Sequence, residues 1–249
     1  MLKNKILTFD KILIMKKLLI ASTSTVHGKG YLEYILPELS VFFKDIKEIL
    51  FIPFARPGGI SHDEYTQIAK EGFSKINIEV KGIHEFDNPI DALNSAKGIF
   101  TGGGNTFLLL KQLYDLKLIA TFKYVVENGT RYFGTSAGSN ITGLSVQNTN
   151  DMPIIYPPSF DALCFINFNL NPHYLDPDSN STHMGETRET RINEFHTLNN
   201  IPVLGLREGS WLRVNGSKVV LKGPLNARLF QKDKPAVEFP AETDFSFLM

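Results

Sequence analysis

Short apolar runs alternate with amphipathic stretches through the first half of the chain. Leu18–Ala21, Ile49–Pro53, Ile76–Val80 and Gly98–Thr101 are brief and rich in β-branched or aromatic residues, and they predict strands. Between them, Tyr31–Phe43, Asp63–Ser74 and Pro89–Ala96 predict helices, the second with Tyr65, Ile68, Ala69 and Phe73 at helical spacing on one face. A helix is predicted from Asn105 to Tyr114 and another over Leu118–Asn128, which Gly129 ends before a strand at Arg131–Gly134. Strand and helix alternating at these lengths predict an α/β fold of three layers, with a mostly parallel central sheet covered by helices on both faces. Asn140–Leu144 reads as the continuation of a helix, and Gln147–Pro158, rich in Asn, Thr and Pro, as loop. The final third changes character. Val203–Leu206, Trp211–Val214, Lys218–Leu221 and Arg228–Phe230 are short strands, and Asn215-Gly216 between two of them signals a C-terminal β-hairpin region.

Composition narrows the class. The chain has 249 residues, 43% hydrophobic and 21% charged, enough for a full core. Lys plus Arg balance Asp plus Glu at 26 each, which is not the electrostatic footprint of a nucleic-acid binder. No apolar run approaches the roughly 18 residues needed to span a bilayer. Cys164 is the single cysteine, which excludes an intrachain disulfide, leaves no cysteine cluster for a structural metal and fits a reducing, cytoplasmic compartment. Lys16 and Lys17 interrupt the apolar run near the N-terminus, which argues against a secretory signal. Met15 reads as the natural start, residues 1–14 as an extension and residues 15–249 as a single domain.

Two glycine-rich segments carry the chemistry. Gly134-Thr135-Ser136-Ala137-Gly138 matches the G-x-S-x-G nucleophile elbow. There a serine sits in strained backbone at a sharp strand-to-helix turn, and only small neighbours let the chain fold back. Thr101-Gly102-Gly103-Gly104-Asn105 follows a strand and opens a helix, without the Lys-Ser/Thr ending of a P-loop. In an open parallel sheet these two strand ends share one crevice, so the N–H groups of Gly104 and Ala137 would form a two-donor oxyanion hole. Of six histidines, His27, His62 and His84 take loop or strand-end positions, and His183 and His196 read as surface residues of a polar helix. His173, in Asn171-Pro172-His173-Tyr174 after the Phe168–Leu170 run, is the best-mounted base. Glu208, at the end of Val203–Leu206, is the leading third member, and Asp151 its rival. Either carboxylate could equally be an ordinary solvated or helix-capping group.

These segments, with Thr149-Asn150-Asp151-Met152-Pro153-Ile154, Phe160-Asp161-Ala162-Leu163, Gly185-Glu186-Thr187-Arg188-Glu189 and Glu208-Gly209, resemble the peptidase E family. Its members are aspartyl dipeptidases related in fold to class I glutamine amidotransferases. The resemblance implies a Ser–His–Glu triad carried by Ser136, His173 and Glu208, and hydrolysis of small peptides with an N-terminal aspartate, with no metal or other cofactor. Such a substrate needs a cation for the aspartate side chain, for which Arg188 is the candidate, and acceptors for its ammonium group, for which Glu189, Asp151 and Asn105 are candidates. An exposed helix residue paired with Glu186 or Glu189 is the plainer reading of Arg188. The family is similar to the cyanophycinases, which cut β-aspartyl peptide units. A second alternative is a non-catalytic α/β module that binds an anion at Gly102–Asn105. Oligomeric state is not legible.

Overall fold

The computed structural model describes residues 16–178, 182 and 185–249. The expected extension at 1–14 and His183 lie outside the described residues. The elements, in chain order, are β1 (Lys17–Ala21), α1 (Leu36–Phe42), β2 (Glu48–Ile52), α2 (His62–Ser74), β3 (Glu79–Gly82), α3 (Pro89–Ser95), β4 (Gly98–Thr101), α4 (Thr106–Asp115) and α5 (Ile119–Glu127). There follow β5 (Arg131–Thr135), α6 (Ala137–Asn140), β6 (Asn169–Pro172), α7 (Arg188–Leu198), β7 (Val203–Leu206), β8 (Trp211–Asn215), β9 (Lys218–Lys222), β10 (Ala227–Phe230) and β11 (Val237–Phe239). Among the described residues the strands form two sheets, ordered β3-β2-β4-β5-β1-β8-β9 and β11-β10-β7-β6.

The first sheet is parallel from β3 to β1, and the antiparallel pair β8 and β9 extends its other edge. Strand alternation divides its side chains between two cores. Leu18, Ile20, Leu50, Ile52, Ile99 and Tyr132 face one way and pack with residues of α3, α4 and α5. Leu19, Ile49, Phe51, Phe100 and Phe133 face the other way, against Leu39 and Phe42 of α1 and Tyr65, Ala69 and Phe73 of α2. Phe100 lies stacked between Phe51 and Phe133, with ring centroids at 5.0 and 4.8 Å. This is the α/β arrangement of helices on both faces that the sequence pattern predicts.

Several expectations need correction. Ile76–Ile78 is not strand: Asn77 takes φ 57° after the end of α2, and pairing to β2 begins only at Glu79. Ile68 is exposed at the rim of α2 rather than buried with Tyr65. The helix expected over Asn140–Leu144 ends at Asn140, whose amide instead bonds Thr106 and Thr149. The hairpin turn is shifted by one: Asn215 pairs with Lys218, and Gly216-Ser217 form the loop with φ 61° at Gly216. His196 is buried, its Nε2 at 2.9 Å from the Ile201 carbonyl. The second sheet was not anticipated. Its Leu170, Leu204, Leu206, Ala227 and Leu229 join the same core as the α4–α5 face, and Tyr174, Ile192, Val203 and Phe230 pack α7 against it. No helix among the described residues is long and apolar enough to cross a membrane.

Phe100 is fully buried between two rings, so Phe100→Ala should cost about 3–5 kcal/mol. Urea unfolding followed by far-UV circular dichroism would measure it, and a loss under about 1 kcal/mol would contradict this packing.

Candidate active site

β4 and β5 are neighbours in register, Thr101 against Gly134, so the glycine loop and the serine turn leave the sheet side by side. Ser136 takes φ 52° and ψ −111°, a region that costs a non-glycine residue about 1–3 kcal/mol. The surroundings force it. A Cβ at Gly134 would stand 2.5 Å from the Gly138 carbonyl oxygen, and one at Gly138 would stand 2.3 Å from that of Thr101. Only glycine lets the turn close so tightly. Ser139 holds it shut, its hydroxyl lying 2.6 Å from the Ala21 carbonyl and 2.9 Å from that of Gly134. Tyr132 donates to the Gly138 carbonyl at 2.5 Å.

The second sheet supplies the partners. β6 and β7 are parallel, with Pro172 opposite Leu206, so the residues that follow them emerge at one edge. His173 takes φ 54° immediately after β6, and Glu208 lies two residues past β7. Glu208 Oε1 is 2.6 Å from His173 Nδ1, and His173 Nε2 is 3.0 Å from Ser136 Oγ. A carboxylate on Nδ1 makes that nitrogen the protonated one, which leaves Nε2 as an acceptor facing the serine. Ser136, His173 and Glu208 therefore form one hydrogen-bonded chain.

Asp151 lies elsewhere. Its Oδ2 accepts from the Thr106 N–H at 2.7 Å, at the N-terminus of α4, and from the Thr149 hydroxyl at 3.3 Å. Between the two carboxylates, the geometry joins Glu208 and not Asp151 to the imidazole.

The model of peptidase family S51 matches residues 18–222. The chain belongs to peptidase family S51. It is 44% identical to a probable alpha-aspartyl dipeptidase of Drosophila melanogaster, over 94% of this chain and 98% of the relative. It is 45% identical to peptidase E of Streptomyces coelicolor, over 93% and 94% of the two chains. The crystal structure of a peptidase from an acI-B1 actinobacterium superposes with a TM-score of 0.69 at 16% identity, covering 94% of this chain and 98% of that one, and shows a shared fold.

Around this S51 serine the other expected residues are distributed as follows. Among the described residues the N–H groups of Gly104 and Ala137 have no acceptor. Gly104 has φ 144°, and a Cβ there would meet the Ala55 carbonyl oxygen at 2.2 Å, so glycine is obligatory. Both ends of the Asn105 amide are engaged: Oδ1 caps α4 by accepting from the Leu108 N–H at 3.0 Å, and Nδ2 donates to the Met152 carbonyl at 2.8 Å. Glu189 pairs with Arg228 at 3.1 Å and Glu186 with Arg191 at 3.5 Å. Arg188, at the first position of α7, is therefore left without an ion-pair partner among the described residues. Burial first, and then Arg191, lowers its pKa below the usual guanidinium value, while Asp151 acts in the opposite sense.

Several residues of the site carry no sequence motif. Ser22, just past β1, is fully buried. Its hydroxyl donates to the Leu206 carbonyl at 2.7 Å and accepts from the His173 N–H at 2.9 Å. Its position at the carboxyl end of a central strand is the only signal that could have found it. Arg207 lies just before Glu208, with nitrogens 2.7 and 2.8 Å from the Asp176 carboxylate and 2.9 and 3.0 Å from that of Glu238. Its hydrogen bonds hold the Asp176 carboxyl below the usual carboxylate range. The segment after His173 and the residue before Glu208 are thus tied together.

Ser22→Ala would strand a buried N–H and a buried carbonyl. It should lower stability by about 1–3 kcal/mol in urea titration, while a Ser24→Ala control changes little. Equal stability of the two variants would show that the sheets do not depend on the Ser22 hydroxyl.

Proposed function

We propose that this chain is a serine dipeptidase that hydrolyses dipeptides with an N-terminal aspartate through an acyl-enzyme on Ser136. The observation that carries the reading is the Ser136–His173–Glu208 hydrogen-bonded chain, in a protein 44–45% identical to a probable alpha-aspartyl dipeptidase and a peptidase E. His173 Nε2 takes the hydroxyl proton as Ser136 Oγ attacks the scissile carbonyl, and Glu208 stabilises the imidazolium that forms. The Gly104 and Ala137 N–H groups receive the oxyanion. The imidazolium returns its proton to the leaving amine, and a water activated by the same imidazole releases aspartate from the ester.

Charge complementarity supports the choice of substrate. Arg188, without an ion-pair partner among the described residues, offers a guanidinium that can clamp the aspartate side chain with two hydrogen bonds. Asp151 keeps Oδ1 without a partner among the described residues, available to the substrate ammonium while Oδ2 stays on α4. Asn105 and Glu189 act one step removed: Asn105 holds the Met152 backbone beside Asp151, and Glu189 anchors α7 through Arg228. We infer a cytoplasmic setting from the lone Cys164, a thiol that a reducing compartment keeps free.

Hydrolysis of Asp-Leu beside Glu-Leu, Asn-Leu and acetyl-Asp-Leu tests this reading. Wild type should cleave Asp-Leu alone, and Ser136→Ala should cleave none. Cleavage of none by wild type would overturn the reading and direct the search to β-aspartyl peptides or to anion binding. Glu208→Gln should lower kcat by up to about 10⁴-fold, the loss found when a triad carboxylate becomes an amide. Asp151→Asn keeps an acceptor for Thr106, and its effect should fall mainly on KM. A reversal of those two effects would make Asp151 the third member.

A further inference from the structure

We infer that Tyr65, on a helix outside the triad, is a positioning residue of the oxyanion hole, acting through the Gly103–Gly104 peptide. The inference rests on the proposed serine mechanism and deepens it. Tyr65 is buried at the first face of α2, 1% exposed, and its hydroxyl donates to the Gly103 carbonyl at 3.1 Å. That carbonyl and the Gly104 N–H belong to one peptide unit. The described residues contain no cis peptide bond, and in a planar trans unit C=O and N–H point in opposite directions. Whatever fixes the carbonyl therefore aims the N–H.

The glycines show which way each side faces. A Cβ at Gly102 would stand 2.3 Å from the Tyr65 hydroxyl, whereas one at Gly103 would stand 3.0 Å from Ser136 Cβ. Tyr65 thus lies beside Gly102 and Ser136 beside Gly103, and a carbonyl held by Tyr65 turns the following N–H away from Tyr65. Among the described residues Tyr65 is the sole donor to the Gly103 carbonyl. The hydrogen bond also polarises the amide, which makes its N–H a stronger donor. The other oxyanion donor is built on the same plan. The Ser136 carbonyl, in one peptide with the Ala137 N–H, accepts from the Ser139 and Asn140 N–H groups, each at 2.9 Å.

Arg56 completes the relay. Its guanidinium carbon lies 5.0 Å from the centroid of the Tyr65 ring, and it has no carboxylate partner among the described residues. Burial raises the Tyr65 pKa above the ordinary tyrosine value while Arg56 acts in the opposite sense. The hydroxyl consequently stays protonated throughout the neutral range and remains a donor. A cation beside the phenol strengthens the hydrogen bond it gives.

The test uses the full chain as Tyr65→Phe, which keeps the ring and removes only the hydroxyl, and as Arg56→Met at an exposed position. Both are assayed for Asp-Leu hydrolysis and for the rate at which a fluorophosphonate labels Ser136. In that labelling Oγ bonds to phosphorus, fluoride leaves, His173 takes the proton, and the phosphoryl oxygen occupies the oxyanion hole. A direct oxyanion donor is worth about 10²–10³ in rate. A residue that only aims one should cost about tenfold in Tyr65→Phe, in kcat and in the labelling rate constant alike, with KM unchanged. Arg56→Met should lower both two- to threefold. A purely structural role would reduce the fraction of chains labelled and the melting temperature, and would leave the rate constant of the labelled fraction at the wild-type value. That outcome overturns the inference, as does a Tyr65→Phe protein with wild-type kcat. Failure of wild type to cleave Asp-Leu would instead overturn the substrate reading. The labelling rate constants still judge Tyr65 in that case, because phosphonylation does not require an aspartyl substrate.

Discussion

Ser136 stands at the end of one sheet and His173 at the edge of another, so the 3.0 Å contact between them requires the two sheets to hold one relative position. Three features fix that position. The sheets share a core that includes Ile20 and Ile99 of the first and Leu170 and Leu206 of the second. The Ser22 hydroxyl reaches from the end of β1 to both the Leu206 carbonyl and the His173 N–H. The Ser22 N–H donates to the Ser210 carbonyl at 3.0 Å, on the turn that carries Glu208. Apolar burial supplies most of the energy, and the directional bonds at Ser22 set the register.

Within each sheet the site relies on parallel pairing. β4 and β5 deliver the glycine loop and the serine turn, and β6 and β7 deliver His173 and Glu208. Parallel neighbours end at the same edge, so residues distant in sequence converge without long loops. The backbone strain at Ser136 is sustained because the turn has no freedom to relax. The Ser139 and Tyr132 hydroxyls hold its carbonyls, and Thr101 blocks any larger residue at Gly138.

The parallel core of the first sheet was legible because β1, β2, β4 and β5 are buried apolar runs alternating with helices. Gly98–Thr101 was read to the residue, and α2 to within one residue. The boundary of β3 was missed because Ile76 and Ile78 belong to a turn that packs apolar side chains as a strand would. The second sheet escaped for a different reason. β6, β7, β10 and β11 have only three or four residues each, and their pairing is decided by contacts across the chain rather than by local pattern. The site divides in the same way. Ser136 is marked by glycines whose spacing has a steric cause, and His173 by its place at a strand end. Glu208 and Asp151 could be separated only by distance to the imidazole. Ser22 and Ser139 act through backbone carbonyls and N–H groups, and Arg207 through carboxylates 31 residues away on either side, which leaves no motif to read.

The order in which these parts occur along the chain has a consequence for synthesis. The Ser136 turn can fold with β1, β4 and β5, all of which precede it in the chain, but His173 and Glu208, its proposed base and carboxylate, follow strands that leave the ribosome later. Until β7 has paired with β6, and both have docked on β1, Ser136 lacks its hydrogen-bond partner His173. On the proposed mechanism a partly made chain is therefore inert toward its own neighbours, and hydrolytic competence arrives only with the completed fold.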